Sequence, residues 1–420
     1  MTDAQPPMTP RERVLAAVEH REPDGLPVDL GSNPSSGISA VAHANLVRHL
    51  DLADQRTRVY DVVQQLAQPS DELLGHLRIE AVDIGRTFNS DEADWKPLLL
   101  PSGVETEVPV WFDPVLQDDG TLDALTDDGL RIASMPKGAA FFDQTYFPYL
   151  DGYPDDLSGL ADVMPLVLWS GLVHSPWDHA GDEGFWETLR AQTLALRQST
   201  DRALMVVVGC NLYEWGTFLR RIDNFLMDLV VDQANVERLL DALLELHFDT
   251  LDHVIESVGD IVDVLRFGDD LGMDNGPLMS PATYRAIFKP RHAALNAYVH
   301  ERSSMKTFLH SCGSLYDLLP DIIETGVDIL NPVQISAANM EPLRLKAEFG
   351  DAITFWGGGA DTRKVLPRGT PNEVRDHVRR NIEAFAPGGG FVFATAHNML
   401  PDVPPQNIEA MYEAVDEYRA

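Results

Sequence analysis

Cysteine is scarce in this chain, with two in 420 residues, Cys210 and Cys312. Two thiols build no disulfide framework, so the fold must rest on its core, and a reducing cytoplasm is the expected setting. Basic residues are also short. Lys and Arg number 32 against 66 Asp and Glu, a formal net charge of −34 with a pI of about 4.5. Such a surface repels nucleic acid and anionic membrane, which removes both from the expected partners. No apolar run is long enough to span a bilayer, and no basic stretch followed by an apolar one reads as a secretory leader. The acidic residues are spread along the chain rather than gathered in a tail, the pattern of a strongly solvated surface.

What is present is a large apolar fraction, 44%, arranged with a recurring rhythm. Thr9-Pro10-Arg11-Glu12 combines an N-cap hydroxyl, proline at the first helical position and Glu at the third, and predicts a helix through Val14 to His20. Apolar runs of strand length follow at Pro27 to Leu30, Ala81 to Ile84, Leu204 to Val208, Val262 to Phe267, Thr307 to Leu309, Val327 to Leu330, Ile353 to Trp356 and Phe391 to Ala394. Most are separated by helical patterns. Val236 to Ile255 carries Leu239, Leu240, Leu243, Leu246, Phe248 and Leu251 as an inward face, and Ser280-Pro281 and Thr370-Pro371-Asn372-Glu373 are helix starts. Eight strand-helix units with mostly apolar strands predict a (β/α)8 TIM barrel, with the N-terminal helix as an extension. Residues 90–160 break the rhythm with short alternating segments and acidic turns, and predict a β-hairpin insertion. The chain is read as one barrel domain, 1–420, carrying that insertion.

On such a barrel, chemistry gathers at the C-terminal ends of the strands. The polar residues at those positions are Cys210 and Asn211, Asp269 and Asp270, His310 and Cys312, Asn331 and Gln334, Asp361, and His397 and Asn398. His310 and Cys312 lie two apart at a strand end that turns at Gly313, so an imidazole and a thiol face one point, half of a zinc site, although a buried, inert cysteine beside a hydrogen-bonded histidine has the same spacing. Asp269 and Asp270 are adjacent carboxylates suited to proton transfer, and are the candidate catalytic pair, although helix-capping carboxylates have the same look. Asn331, Gln334, Asp361 and Asn398 are the candidates to touch substrate.

Several blocks, taken in order, resemble the uroporphyrinogen decarboxylase superfamily. They are Gly268-Asp269-Asp270-Leu271-Gly272 with Ser280-Pro281 and Tyr284, His310-Ser311-Cys312-Gly313, Gly326-Val327-Asp328 with Asn331-Pro332-Val333-Gln334, and His397-Asn398 followed by Pro404-Pro405-Gln406-Asn407-Ile408. The match is close from about residue 200 onward and loose over the first 90. The resemblance implies a barrel from one of two branches, cofactor-free decarboxylases or zinc-dependent methyltransferases that work with corrinoid proteins. The decarboxylase branch carries an arginine-rich motif after its first strand. The matching segment here, Asp29-Leu30-Gly31-Ser32-Asn33-Pro34-Ser35, has no arginine to hold a polycarboxylate.

The methyltransferase branch adds to its His-x-Cys a later Cys, whose position falls here on Thr395-Ala396-His397. The resemblance therefore implies zinc held by His310, Cys312 and His397, three ligands with an open fourth position. One thiolate and two neutral imidazoles leave such a site net positive, where two thiolates would neutralise it, so the metal is a harder Lewis acid. The expected reaction moves a methyl group between an O- or S-linked small molecule and cobalamin. No Asp-x-His-x-x-Gly corrinoid signature is present, so the corrinoid would come on a partner protein. A homodimer is compatible with this reading. Two alternatives share the same rim: a metal-free decarboxylase using Asp269 or Asp270, and a non-catalytic tetrapyrrole- or metal-binding protein.

Overall fold

The computed structural model describes residues 6–419. Seven parallel strands form one curved sheet in chain order: β1 (Ala81–Asp83), β2 (Ala203–Val207), β3 (Val264–Gly268), β4 (Lys306–His310), β5 (Ile329–Asn331), β6 (Thr354–Trp356) and β7 (Phe391–Val392). The segment expected as the opening strand, residues 27–30, closes the circle without being a regular strand. Val28 bridges Phe393 in parallel, Asp29 N–H donates to Phe393 O at 2.8 Å, and on the other side Glu80 N–H donates to Val28 O at 2.8 Å. All eight expected positions are thus occupied in an α/β barrel. The strands are apolar because both faces are covered; every residue of β2 is buried.

The barrel interior is filled from below. The helix Pro10–Val18 starts with the expected capping box, in which Glu12 N–H donates to Thr9 Oγ1 and Glu12 accepts from Thr9 N–H. Its Val14, Ala17 and Val18 pack with the inward side chains Met205, Val264, Phe308 and Trp356. This plug closes the N-terminal end, so only the opposite end can receive a ligand. Phe308 is fully buried edge-on to Trp356, with ring centroids 5.6 Å apart. Replacing an aromatic so placed costs about 3–5 kcal/mol.

The long helix runs Gln233–Val258, and its buried stripe is Val236, Leu239, Leu240, Leu243, His247, Leu251 and Val254. Leu246 and Phe248, expected to face inward, lie on the flanks, where Phe248 stacks on Tyr298 at 4.5 Å. The inward position between them belongs to His247, whose Nε2–H donates to Asn211 O at 2.8 Å. Residues 95–144 exceed the single hairpin expected. Trp95–Leu99 pairs with Glu105–Pro109, and a separate four-stranded antiparallel sheet follows from Val115–Leu116 to Asp143–Gln144. Together with Val59 and Val63 they bury a small core of their own around Phe112, Leu122, Ile132 and Phe142. Among the described residues no helix is long and apolar enough to cross a membrane.

Candidate metal centre

In β4, Phe308 and His310 share the inner face, so the imidazole emerges at the barrel mouth directly above the aromatic floor. The chain then turns through Ser311, Cys312 and Gly313. Gly313 has φ +88°, and a Cβ there would stand 2.4 Å from the backbone of Gly272. Only glycine lets the two loops meet so closely. The turn's amides are then taken up by neighbours: Ser311 N–H by Asn331 O at 2.7 Å, Cys312 N–H by Asp270 Oδ1 at 2.8 Å and Gly313 N–H by Gln334 Oε1 at 3.0 Å.

His310 is fixed in one tautomer. Its Nδ1–H donates to Asn331 Oδ1 at 2.7 Å, and the orientation of the Asn331 amide is set because its Nδ2 donates to Trp356 O at 2.9 Å. Nε2 is therefore the lone-pair nitrogen, 3.5 Å from Cys312 Sγ and 3.5 Å from Asp270 Oδ1. His397 arrives from the turn after β7, its ring centroid 5.6 Å from that of His310. One ligand atom each of His310, Cys312 and His397 lies within 4.8 Å of the others. His397 has φ +131°, a conformation non-glycine residues rarely adopt, costing about 1–3 kcal/mol. It is held there by Thr395, whose hydroxyl donates to His397 O at 2.5 Å, and by Asn398, which accepts Gly37 N–H at 2.9 Å and donates to Gln64 at 2.9 Å.

The electrostatics suit a cation. Burial first, and then the Arg266 charge, push the His310 imidazole down to about 3, so it is neutral at physiological pH. Burial, with His310 and Arg266 beside it, likewise keeps His397 neutral. Cys312 is held well above the usual thiol range by burial and by the carboxylates of Asp270 and Glu214. Its proton leaves readily only if positive charge replaces it. Two neutral imidazoles, a thiol beside carboxylates and a second hydrogen bond fixing the ligand tautomer are the chemistry a zinc site requires, so the residues fit the ion.

The two expected catalytic carboxylates part company. Asp269 is fully buried and points away from the histidines. Its oxygens accept Leu212 N–H at 3.0 Å, Glu214 N–H at 2.9 Å and His292 Nε2–H at 2.8 Å, which fastens the start of the helix Tyr213–Arg220. Asp270 alone reaches the His310–Cys312 pair. The expected substrate contacts are also engaged by protein: Asn331 by His310, Gln334 by Gly313 and by Asp274 at 3.0 Å, Asn398 by the first loop, and Asp361 by the amides of Arg363 and Lys364 at 2.8 and 3.2 Å. Cys210 is buried away from the mouth, its Sγ 4.0 Å from His247 O.

Residues absent from the sequence-based set complete the mouth. Glu214 accepts Asn211 Nδ2–H at 2.6 Å, and burial plus the charges of Asp270 and Asp269 raise its carboxyl well above the usual range. Arg266 shares the inward face of β3 with Val264; a charge at an inward position of an otherwise apolar strand was the signal that could have found it.

Known proteins give two answers to this geometry. One is a uroporphyrinogen decarboxylase of Pseudoalteromonas translucida, 33% identical over 153 residues, 34% of this chain and 40% of that protein. Another is the methylcobamide:CoM methyltransferase MtaA of Methanosarcina barkeri, 28% identical over 158 residues, 38% of this chain and 42% of that protein. The chain thus matches less than half the length of either relative. A methyltransferase from Methanosarcina mazei shares the fold, with a TM-score of 0.59 at 19% identity over 98% of this chain and 99% of that one. The family described as Uroporphyrinogen decarboxylase (URO-D) matches residues 210–418, the stretch that supplies β3 to β7 and all three members of the His-Cys-His group, and the chain therefore carries a uroporphyrinogen decarboxylase family domain.

Proposed function

We propose that this protein is a zinc-dependent methyltransferase that moves a methyl group between an O- or S-linked small molecule and a corrinoid carried by a separate protein. The observation that carries the reading is the convergence of His310, Cys312 and His397 within 4.8 Å, with His310 fixed as a neutral Nε2 ligand. Those three residues would hold the ion, and the similarity to MtaA supports the choice of branch. Zinc would supply Lewis acidity toward the oxygen or sulfur that loses or gains the methyl group.

In this reading Asp270 and Glu214 share the remaining work. Asp270 orients the Cys312 turn through the amide hydrogen bond, and Glu214, whose carboxyl is raised well above the usual range by burial, is the candidate to give a proton to a departing alkoxide or thiolate. Asp269, Asn331, Gln334, Asp361 and Asn398 are positioning residues that hold the turns and the histidine rather than the substrate. In this reading the whole chain is one barrel unit, and the scarcity of cysteine is compatible with a reducing cytoplasm.

The second reading, a metal-free decarboxylase, is favoured by the decarboxylases among the relatives. One experiment separates them. Purified protein is assayed for zinc, then mixed with reduced cobalamin and a panel of methyl ethers and thioethers while methylcobalamin is followed by absorbance. Stoichiometric zinc with methyl transfer is the expected result; folded protein that takes up no zinc, together with carbon dioxide release from a porphyrinogen, would overturn it.

A further inference from the structure

The end of the barrel away from the candidate metal centre carries a pocket of about 520 Å³, room enough for a small molecule. Its walls include Arg13 of the plugging helix, Arg78 and Glu80 from the turn into β1, Asp201 and Arg202 from the turn into β2, and Arg419 near the C-terminus. Four arginines meet there in a chain whose acidic residues outnumber its basic ones 66 to 32. Two of the four are already paired. Arg13 bonds Glu80 and, at 2.8 Å, Asp24, and Arg78 reaches Asp416 at 2.6 Å. The other two are not matched. Arg202 Nε donates to Ile79 O at 2.8 Å, but its two terminal nitrogens have no protein partner and it forms no ion pair among the described residues. Arg419 Nη1 donates to Leu77 O at 2.8 Å and touches the already engaged Asp416 at 3.3 Å, whereas its Nε and Nη2 are buried with no partner among the described residues. The Arg419 side chain is only 5% exposed, and arginine is rarely so buried unpaired. The two carbonyls that hold these guanidiniums flank Arg78 in one tight turn, where Arg78 has φ +50°, so three positive charges are gathered at one place. Asp201 is exposed, and solvent screens its charge. Water can complete unpaired donors of this kind, but only an anion answers their charge.

We infer that this pocket binds a phosphate group, taken in a fork by the terminal nitrogens of Arg202 and neutralised by Arg419 and Arg78. Phosphate offers several acceptor oxygens and up to two negative charges, which suits two guanidiniums that no carboxylate of their own serves; a single carboxylate would fill one fork only. The pocket joins the plugging helix, the turns into β1 and β2 and the C-terminal segment, so a bound phosphate ties four separate stretches of chain together at the closed end of the barrel. The site stands apart from His310, Cys312 and His397, which emerge at the other end, and it depends on no reading of their chemistry.

The test is binding. Inorganic phosphate and pyrophosphate are titrated calorimetrically into the full chain in chloride buffer of constant ionic strength, with acetate as the control anion. At least one of the two should bind saturably and at least about 10-fold tighter than acetate. Arg202→Gln should weaken that binding about 10-fold or more, and Arg202→Lys, which keeps the charge and loses the fork, should retain part of it. Arg78→Gln should weaken it less, by about 3-fold, and Cys312→Ala, at the opposite end, should leave it unchanged. A thermal unfolding scan checks that each variant is folded; should Arg202→Gln fail to fold, Arg78→Gln and Arg202→Lys decide. No saturable binding of either phosphate, acetate binding equally well, or undiminished affinity in the folded arginine variants would each overturn the site. Loss of phosphate binding in Cys312→Ala would overturn it too, by moving the anion to the candidate metal centre.

Discussion

The two halves of the barrel mouth are finished to different degrees. On the side of β4, β5 and β7 the polar groups that hold the candidate metal ligands are matched: Asn331 serves both His310 and Trp356, and Asp270 and Gln334 receive successive amides of the Cys312 turn. On the side of the opening segment, β1 and β3, Tyr60 Oη and Arg266 Nε have no protein partner, and the Arg266 side chain makes one protein hydrogen bond. A prebuilt half and an open half are what a site needs when one component is resident and the other arrives and leaves. Rigidity is useful where ligands must stay within a few tenths of an ångström, and buried donors without a protein partner are completed by water or by a ligand.

The largest expected effect attacks the finished half directly. Cys312→Ala should lower zinc content from near one per chain to near zero and abolish turnover, while circular dichroism stays that of the wild type, because the thiol's loss leaves the turn's amide hydrogen bonds in place. Metal analysis of the folded variant checks it; retention of stoichiometric zinc would mean that other residues hold the ion.

Next comes the floor beneath both halves. Phe308→Ala should cost about 3–5 kcal/mol in urea unfolding, since the ring is fully buried against Trp356 and the plugging helix has no side chain to refill the space. A loss under about 1 kcal/mol would show that the interior layer relaxes. Smaller still is the support of the ligand. Asn331→Ala should weaken zinc about 10- to 100-fold in competition with a chelator, by freeing the His310 tautomer and ring.

The smallest effect tests burial away from the mouth. Burial pushes His247 down to about 4 in the folded chain, against about 6.5 for an exposed histidine. The folded state therefore binds fewer protons between those values, so this contribution is complete above about 6.5 and is lost as pH falls toward 4, at up to about 1.4 kcal/mol per pH unit. His247→Gln should flatten the acid limb of the metal-free protein's stability profile, measured by urea unfolding at several pH values. An unchanged slope would assign the acid limb to other groups.

Much of the frame was legible because its causes are local. Apolar runs of strand length, closed by turn residues and separated by helical periods, placed all eight barrel positions, and Thr9 through Glu12 announced a capping box that formed as written. The His-x-Cys spacing put two side chains on one face for the same reason, the fixed alternation of a strand. The insertion was less legible, because short alternating segments do not say how many strands will pair or which distant residues, such as Val59 and Val63, will complete their core.

What the sequence by itself determined was therefore the sheet, its helices and one pair of candidate ligands. Only the tertiary structure decided which of two adjacent carboxylates faces the pair. Asp269 and Asp270 differ by one position along a chain leaving its strand, and the difference between a helix cap and a neighbour of His310 lies in where the amides of Leu212 and Cys312 come to rest. Bringing His397 to His310 required the barrel to close, and so did setting Arg266 against a serine 231 residues away. Contacts of that range depend on the packing of every layer between, which no local spacing encodes.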